Sequence, residues 1–138
     1  MNENKTFPDF EELPHQADAA LLVYGRSLPE LFSHAAHGMY HIMGINNKDH
    51  QKVEEVIVLQ AEDTESLLVS FLTELLFMAE KGLKVAIIEL SIEKGGLKAK
   101  VNQSPVLGMA REIKAVTFNE MKIFNLDGVY QTRIVFDL

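Results

Sequence analysis

Hydrophobic residues recur at helical spacing in two stretches of the chain. The first follows the capping sequence Ser27-Leu28-Pro29-Glu30 and continues to Gly44, a residue that commonly ends helices. The second begins near Thr64, carries a broad apolar face and stops at Gly82. The pattern therefore predicts two helices, each with a face that must be buried.

One short apolar run and several stretches of alternating apolar and polar residues predict a series of strands. They cover residues 20–24, 53–61, 88–92, 97–101, 112–118, 121–125 and 129–138. Lys94-Gly95-Gly96 and Asp127-Gly128 are typical hairpin turns, and residues 103–111 are expected to form a loop. The order predicts an α+β fold in two layers, with two helices packed on a largely antiparallel β-sheet.

Length and composition indicate one domain of ordinary size. We expect residues 1–13 to form a polar N-terminal arm and residues 14–138 a single α+β domain. The first residues lack the apolar segment of a secretory signal, and no apolar run is long enough for a transmembrane helix. We therefore expect a cytoplasmic protein with no membrane partner.

Charge and cysteine content exclude several classes of function. With 13 basic and 20 acidic residues the net charge is -7, which argues against strong direct binding to nucleic acid. The absence of cysteine excludes disulfides, thiolate catalysis and Cys-ligated metals. A basic protein partner or a cation remains compatible with this charge.

Three histidines share one stripe of the first predicted helix. His34, His37 and His41 follow i, i+3, i+7 spacing and point away from its apolar face. One interpretation is a transition-metal site, and the other is a solvated face that happens to carry histidine. We favour the second, because nothing else in the sequence is positioned to complete a metal shell.

Two acidic groups lie at opposite ends of the chain. Asp18 directly precedes the strand at 20–24, and Asp137 adjoins the carboxylate of Leu138. If the first and last strands are neighbours, these oxygens converge and suit hard cations such as Ca²⁺ or Mg²⁺. Alternatively, Asp18 caps a turn and Asp137 is simply solvated.

No catalytic constellation is evident. The sequence has no nucleophile elbow, P-loop or dinucleotide fingerprint, and the Gly95-Gly96 pair is explained by the hairpin. Lys114 and Thr117 are three positions apart, so on a regular strand they face opposite sides. Lys114 then either points toward a site or extends along a sheet edge.

Four segments resemble the archease family. They are HQADAALLVYGRSLPELFSHAAHGMYHIM, LLVSFLTELLFMAEKGL, EIKAVTFNEMKI and VFDL, and the likeness spans about residues 13–138 in order. The resemblance implies a non-enzymatic, chaperone-like accessory protein of the GTP-dependent RNA ligase in tRNA splicing or RNA repair. Such a protein promotes guanylylation and multiple turnover of its ligase.

The resemblance also implies a metal site. The family's acidic ligands map onto Asp18, Asp137 and the carboxylate of Leu138. We expect a divalent cation, Ca²⁺ first, with Mg²⁺ or Mn²⁺ as alternatives. His15 and Lys114 are candidates to face the partner or to support the metal ligands from outside.

The sequence departs from the family pattern at several positions. Gln16, Ser70, Thr73 and Asn119 stand where the family more often has Thr, Asp, Asn and His. Two other functions stay open. One is a metal-dependent hydrolase that uses the same carboxylates, although no general base or nucleophile is evident beside them. The other is a chaperone-like or small-molecule binding module.

Overall fold

The computed structural model describes residues 7–13, 18–47, 53–118 and 121–138. Within these ranges the chain forms two helices, α1 (Leu28–Met43) and α2 (Thr64–Glu80), and nine strands. The strands are β1 (Phe10–Leu13), β2 (Ala19–Gly25), β3 (Asn46–Asn47), β4 (Val53–Gln60), β5 (Leu83–Glu93), β6 (Gly96–Gly108), β7 (Ala115–Thr117), β8 (Phe124–Leu126) and β9 (Val129–Asp137).

The described strands form two antiparallel sheets. A five-stranded sheet has the order β1-β2-β9-β7, with β8 also paired to β9. In a four-stranded sheet β3, β4 and β5 all pair with β6. The predicted α+β class with antiparallel strands is confirmed, and the strands are divided between two sheets instead of one.

The helices connect the two sheets through one core. α1 packs on β1 and β2 of the five-stranded sheet and also reaches β5. α2 packs on β4, β5 and β6 and also reaches β7. Because each helix meets both sheets, each is buried over much of its circumference, and a single cluster of buried side chains spans both.

Local sequence signals set the helix ends where they were predicted. The Ser27 hydroxyl accepts from the Glu30 amide at 3.2 Å, and the Glu30 carboxylate accepts from the Arg26 amide at 2.9 Å. Gly44 ends α1 in the left-handed conformation at φ 59°. The Asp63 side chain caps α2 by accepting from the Ser66 amide at 2.7 Å.

Two segments differ from the expectation. Residues 103–108, expected in a loop, continue β6. Within this part of the strand the Ser104 hydroxyl accepts a hydrogen bond from the side-chain amide of Asn47 at 3.1 Å. Phe10–Leu13, expected in the polar arm, form the edge strand β1, because Phe10 packs against the core while its neighbours stay exposed. β7 and β8 are shorter than the strands predicted at 112–118 and 121–125.

Some of the predicted features fall outside the described residues. His15, Gln16 and Asn119 are among these positions. In the part of the chain that the structure describes, neither helix combines the length and the apolar character needed to cross a membrane.

Candidate functional site

The two acidic ends of the chain come together in the five-stranded sheet. β2 runs antiparallel beside β9, with Ala19 opposite Phe136. Continuing this register by one residue sets Asp18 opposite Asp137. Directly opposed residues of an antiparallel pair are about 4.5–5.5 Å apart at Cα and point to the same face. β2, which was the first strand predicted from the sequence, and the last strand β9 are thus neighbours, as the carboxylate hypothesis requires.

Both aspartates lie on the sheet face that is turned away from the helices. Their neighbours in sequence, Ala19 and Phe136, are buried in the core, and strand residues alternate between faces. Asp18 is half-buried and Asp137 is exposed. Leu138 packs against the edge of the core, so its main-chain carboxyl group is held at the same end of the sheet.

Lys114 lies at the same end of the sheet, on the edge of β9 opposite to β2. β7 pairs with β9 so that Ala115 is opposite Asp137, and the Lys114 amide donates to the Asp137 carbonyl at 2.7 Å. The preceding residue, Ile113, is fully buried and anchors the segment. The Lys114 side chain is exposed.

The donor atoms at this end suit a hard cation. Two carboxylates and a main-chain carboxyl group offer only oxygen, which Ca²⁺, Mg²⁺ and Mn²⁺ accept and which Zn²⁺ or Cu²⁺ sites seldom use alone. Across the described residues no group of three or more His, Cys, Asp and Glu side chains is arranged to hold a metal ion. A cation here would therefore need main-chain oxygen and water to complete its shell.

The same sheet face carries a groove beyond the acidic end. One hollow of about 280 Å³ is lined by Phe7, Tyr24, Leu126, Asp127, Val129 and Gln131. Gln131 also lines a second hollow of about 120 Å³, together with Leu22, Lys122, Phe124, Thr132 and Arg133. Phe124 and Leu126 are 49% and 57% exposed, so apolar surface faces solvent along this groove.

This groove was not predicted from the sequence, although one signal pointed to it. The segment AALLVYG is apolar at consecutive positions instead of alternating. A continuous apolar run is typical of a strand that is covered on both faces. Leu22 and Tyr24 belong to the outer face, and this second set of apolar residues was the available sign of a binding surface.

The histidine stripe divides into buried and exposed members. His34 is 15% exposed, its Nδ1 lies 2.6 Å from the Tyr24 carbonyl oxygen, and its Nε2 lies 3.7 Å from an Asp9 oxygen. His37 and His41 both have exposed side chains. The His37 ring is nevertheless partly buried, and this partial burial, together with the nearby His34, lowers the pKa of His37. The interpretation as a solvated face holds for these two histidines, whereas His34 joins α1 to β2 through its hydrogen bond with the Tyr24 carbonyl group.

A family model decides which family this sequence represents. The model described as "Archease protein family (MTH1598/TM1083)" matches residues 10–138. The chain belongs to the archease family. The match begins at β1 and includes every described element, so the arm's last four residues belong to the region that the family model describes.

Curated relatives match over nearly their whole length. The archease of Pyrococcus abyssi is 36% identical, with 94% of this chain and 98% of that protein covered. The archease of Methanosarcina mazei is 31% identical, with 94% and 95% covered. These figures agree with the resemblance inferred from the four sequence segments.

Solved structures of the family share the fold. The solution structure of Methanobacterium thermoautotrophicum protein 1598 superposes with a TM-score of 0.71 at 30% identity, covering 94% of this chain and 99% of that one. The crystal structure of a Thermotoga maritima protein, described as an archease and possible chaperone, gives 0.69 at 25% identity, covering 93% and 96%. The archease fold is therefore shown for this chain.

Proposed function

We propose that this protein is an accessory factor that promotes guanylylation and multiple turnover of a GTP-dependent RNA ligase. The proposal is carried by one observation: in a chain of the archease family, the register of β2 and β9 sets Asp18 opposite Asp137 at one end of the sheet. A chain with a net charge of -7 is better suited to assist a partner than to bind RNA itself.

The acidic end of the sheet is proposed to hold a divalent cation. Asp18, Asp137 and the main-chain carboxyl group of Leu138 would supply the protein oxygens, and water would supply the rest. Ca²⁺ takes six to eight oxygen ligands. With so few from the protein, we expect a dissociation constant on the order of 10⁻⁴ to 10⁻³ M. Mg²⁺ and Mn²⁺ are the alternatives.

We further propose that the ligase contacts the groove on the same face. The groove offers an exposed aromatic ring, Phe124, with the Lys122 ammonium 5.7 Å from its centre. Apolar surface bordered by charged groups is typical of a protein interface. Lys114, and His15 from outside the described residues, would face the partner beside the cation.

A stimulation assay tests the accessory role. A cognate GTP-dependent ligase is incubated with GTP and broken RNA, and both ligase guanylylation and product per ligase are measured with increasing amounts of this protein. We expect product to exceed one equivalent per ligase only when this protein is added. Equal turnover with and without it at every ratio would refute the proposal.

Two phenylalanines provide a matched test of the contact face. Phe124 and Phe77 are both 49% exposed, and each ring has a lysine ammonium nearby. Phe77 lies on α2, away from the groove residues. Phe124→Ser should reduce stimulation at limiting concentration, and Phe77→Ser should leave it unchanged. Equal effects of the two substitutions would argue against the groove as the contact.

Calorimetry tests the cation site independently of the ligase. We expect Ca²⁺ binding by the wild-type protein and its loss in Asp18→Asn and in Asp137→Asn. Glu89→Gln removes the same charge from an exposed position in the other sheet and should bind as the wild type does. A single glycine added after Leu138 converts its carboxylate to an amide and should weaken binding. No heat from Ca²⁺, Mg²⁺ or Mn²⁺ at millimolar concentration would refute the site.

A further inference from the structure

The edge of the four-stranded sheet at β4 lacks the features that usually prevent sheet edges from pairing. Natural edges are kept short, bulged, or marked with lysine or proline, because an open edge recruits another strand. β4 has eight residues, VEEVIVLQ, with neither lysine nor proline, and it pairs with β6 without a register shift. Within the described residues its other edge pairs with no strand.

The other edges of the molecule differ from β4. β1 has only four residues, and β3, β7 and β8 have two or three residues each. β5 is longer, but its register shifts between Ile87 and Glu89. Among the described strands, β4 alone is a long and regular edge with neither lysine nor proline, and its charge is confined to Glu54 and Glu55 at one end.

β4 also exposes apolar side chains. Val56 and Val58 are 49% and 67% exposed, and they share the outer face of the sheet with Lys98 and Lys100. Exposed β-branched residues in consecutive outward positions favour pairing with another strand and are costly to leave in water.

We propose that β4 pairs antiparallel with β4 of a second copy of this chain, about a two-fold axis at Ile57. In this register Val56 faces Val58 of the second copy, and Glu54 faces Gln60. The sheet becomes continuous across the axis, and each outer valine gains an aliphatic cross-strand partner. Because of the two-fold symmetry, the Val56–Val58 pair forms twice in the dimer.

The charges of β4 select both the partner and the register. Centring the axis on Glu55 would oppose two like charges, and centring it on Val58 would oppose Glu54 to Glu62. Centring it on Val56 would set Glu54 against Val58 on the outer face. Only the axis at Ile57 matches apolar with apolar on the outer face and pairs each Glu54 with a neutral amide.

The proposed dimer does not depend on the ligase proposal. β4 belongs to the four-stranded sheet, whereas the aspartates and the groove belong to the five-stranded sheet. Two copies joined at β4 therefore leave both partner faces open.

Sedimentation of the whole chain tests the proposal. The wild type should shift from 15.5 kDa toward twice that mass as its concentration rises to about 1 mM. Val56→Lys adds the residue that natural edges use for protection, and it should weaken association at least about tenfold. Ile88→Lys is the matched control, because Ile88 is 48% exposed at the irregular point of β5, and it should associate as the wild type does. Circular dichroism checks that both variants fold.

Disulfide trapping tests the register, because the chain has no cysteine of its own. A mixture of Val56→Cys and Val58→Cys chains should cross-link under mild oxidation, since these positions are opposed in the proposed pair. Either variant alone should cross-link much less, because its own copies are diagonal neighbours about 7–8 Å apart, beyond disulfide reach. A wild type that stays at 15.5 kDa at about 1 mM, a Val56→Lys chain that associates normally, or equal trapping in all three samples would overturn the proposal.

Discussion

The junction between β2 and α1 has no room for a side chain at Gly25. A Cβ atom there would lie 2.4 Å from the Leu31 nitrogen, 2.8 Å from the Leu31 Cα and 3.0 Å from the Glu30 carbonyl carbon. All three atoms belong to the backbone of the first turns of α1, so no rotamer change relieves the contact. Gly25→Ala must therefore push the helix away from the strand.

The expected destabilisation follows from two opposing effects. Overpacking of a rigid site costs about 1–3 kcal/mol and sometimes more, and contact with backbone belongs at the upper end. Alanine also reduces the conformational freedom of the unfolded chain, which stabilises the folded protein by about 0.4–1 kcal/mol. We expect a net loss of about 2–3 kcal/mol. At about 2.1 cal/mol/K per residue over 138 residues, this lowers the melting temperature by about 7–10 °C.

Urea unfolding followed by circular dichroism measures this loss. Gly108→Ala is the control, because a Cβ at Gly108 meets nothing within 4 Å, and this variant should equal or slightly exceed the wild type. A Gly25→Ala protein within about 0.5 kcal/mol of the wild type would refute the reasoning, since ordinary surface changes fall in that range.

Two further substitutions test buried and capping polar groups. The Tyr40 hydroxyl accepts from the buried Val85 amide, so Tyr40→Phe should cost about 1–3 kcal/mol at pH 8 in urea unfolding. Burial raises the pKa of Tyr40 from 10.0 to about 12. Above pH 10 the unfolded chain loses this proton more readily than the folded protein, so the contribution of Tyr40 to the free energy of unfolding should decline. The difference in that free energy between the wild type and Tyr40→Phe should therefore be smaller at pH 11 than at pH 8. Asp63→Ala removes the α2 cap and should lower the melting temperature at pH 7. Because hydrogen bonds from Ser66 lower the pKa of Asp63 from its ordinary value of 3.8, the difference should begin to shrink below pH 3.8 and be lost as the pH falls through the lowered pKa.

The helices and turns were predictable because their signals are local. Ser27 and Gly44 set the ends of α1 through contacts within a few residues. Asp127 and Gly128 both adopt positive φ, at 53° and 85°, which a two-residue hairpin turn needs. Such signals require no knowledge of the rest of the chain.

The remaining differences arise from distant contacts. Residues 103–108 include Pro105 and Gly108, which are typical of loops, yet the side-chain amide of Asn47, far away in sequence, donates to Ser104. β1 has only four residues and depends on β2 for its pairing. Neither partner can be identified from composition in a short window.

The candidate site was predictable only in part. The positions of Asp18 and Asp137 at strand ends, with the family resemblance, were enough to anticipate that they would meet. The groove beside them required knowing which strands flank β9 and which of its side chains face outward. Sheet order cannot be read from alternation alone, because alternation identifies a face but not its neighbours.

The pairing of β2 with β9 has a consequence for synthesis of the protein. Ala19 and its partner Phe136 are 117 positions apart, and a ribosome adding about 5–20 residues per second needs roughly 6–23 s to make that interval. During this time the apolar β2 has emerged without its central neighbour. α1 follows β2 directly in sequence and packs on it, so nascent chains can shield this strand early and assemble the five-stranded sheet only afterwards.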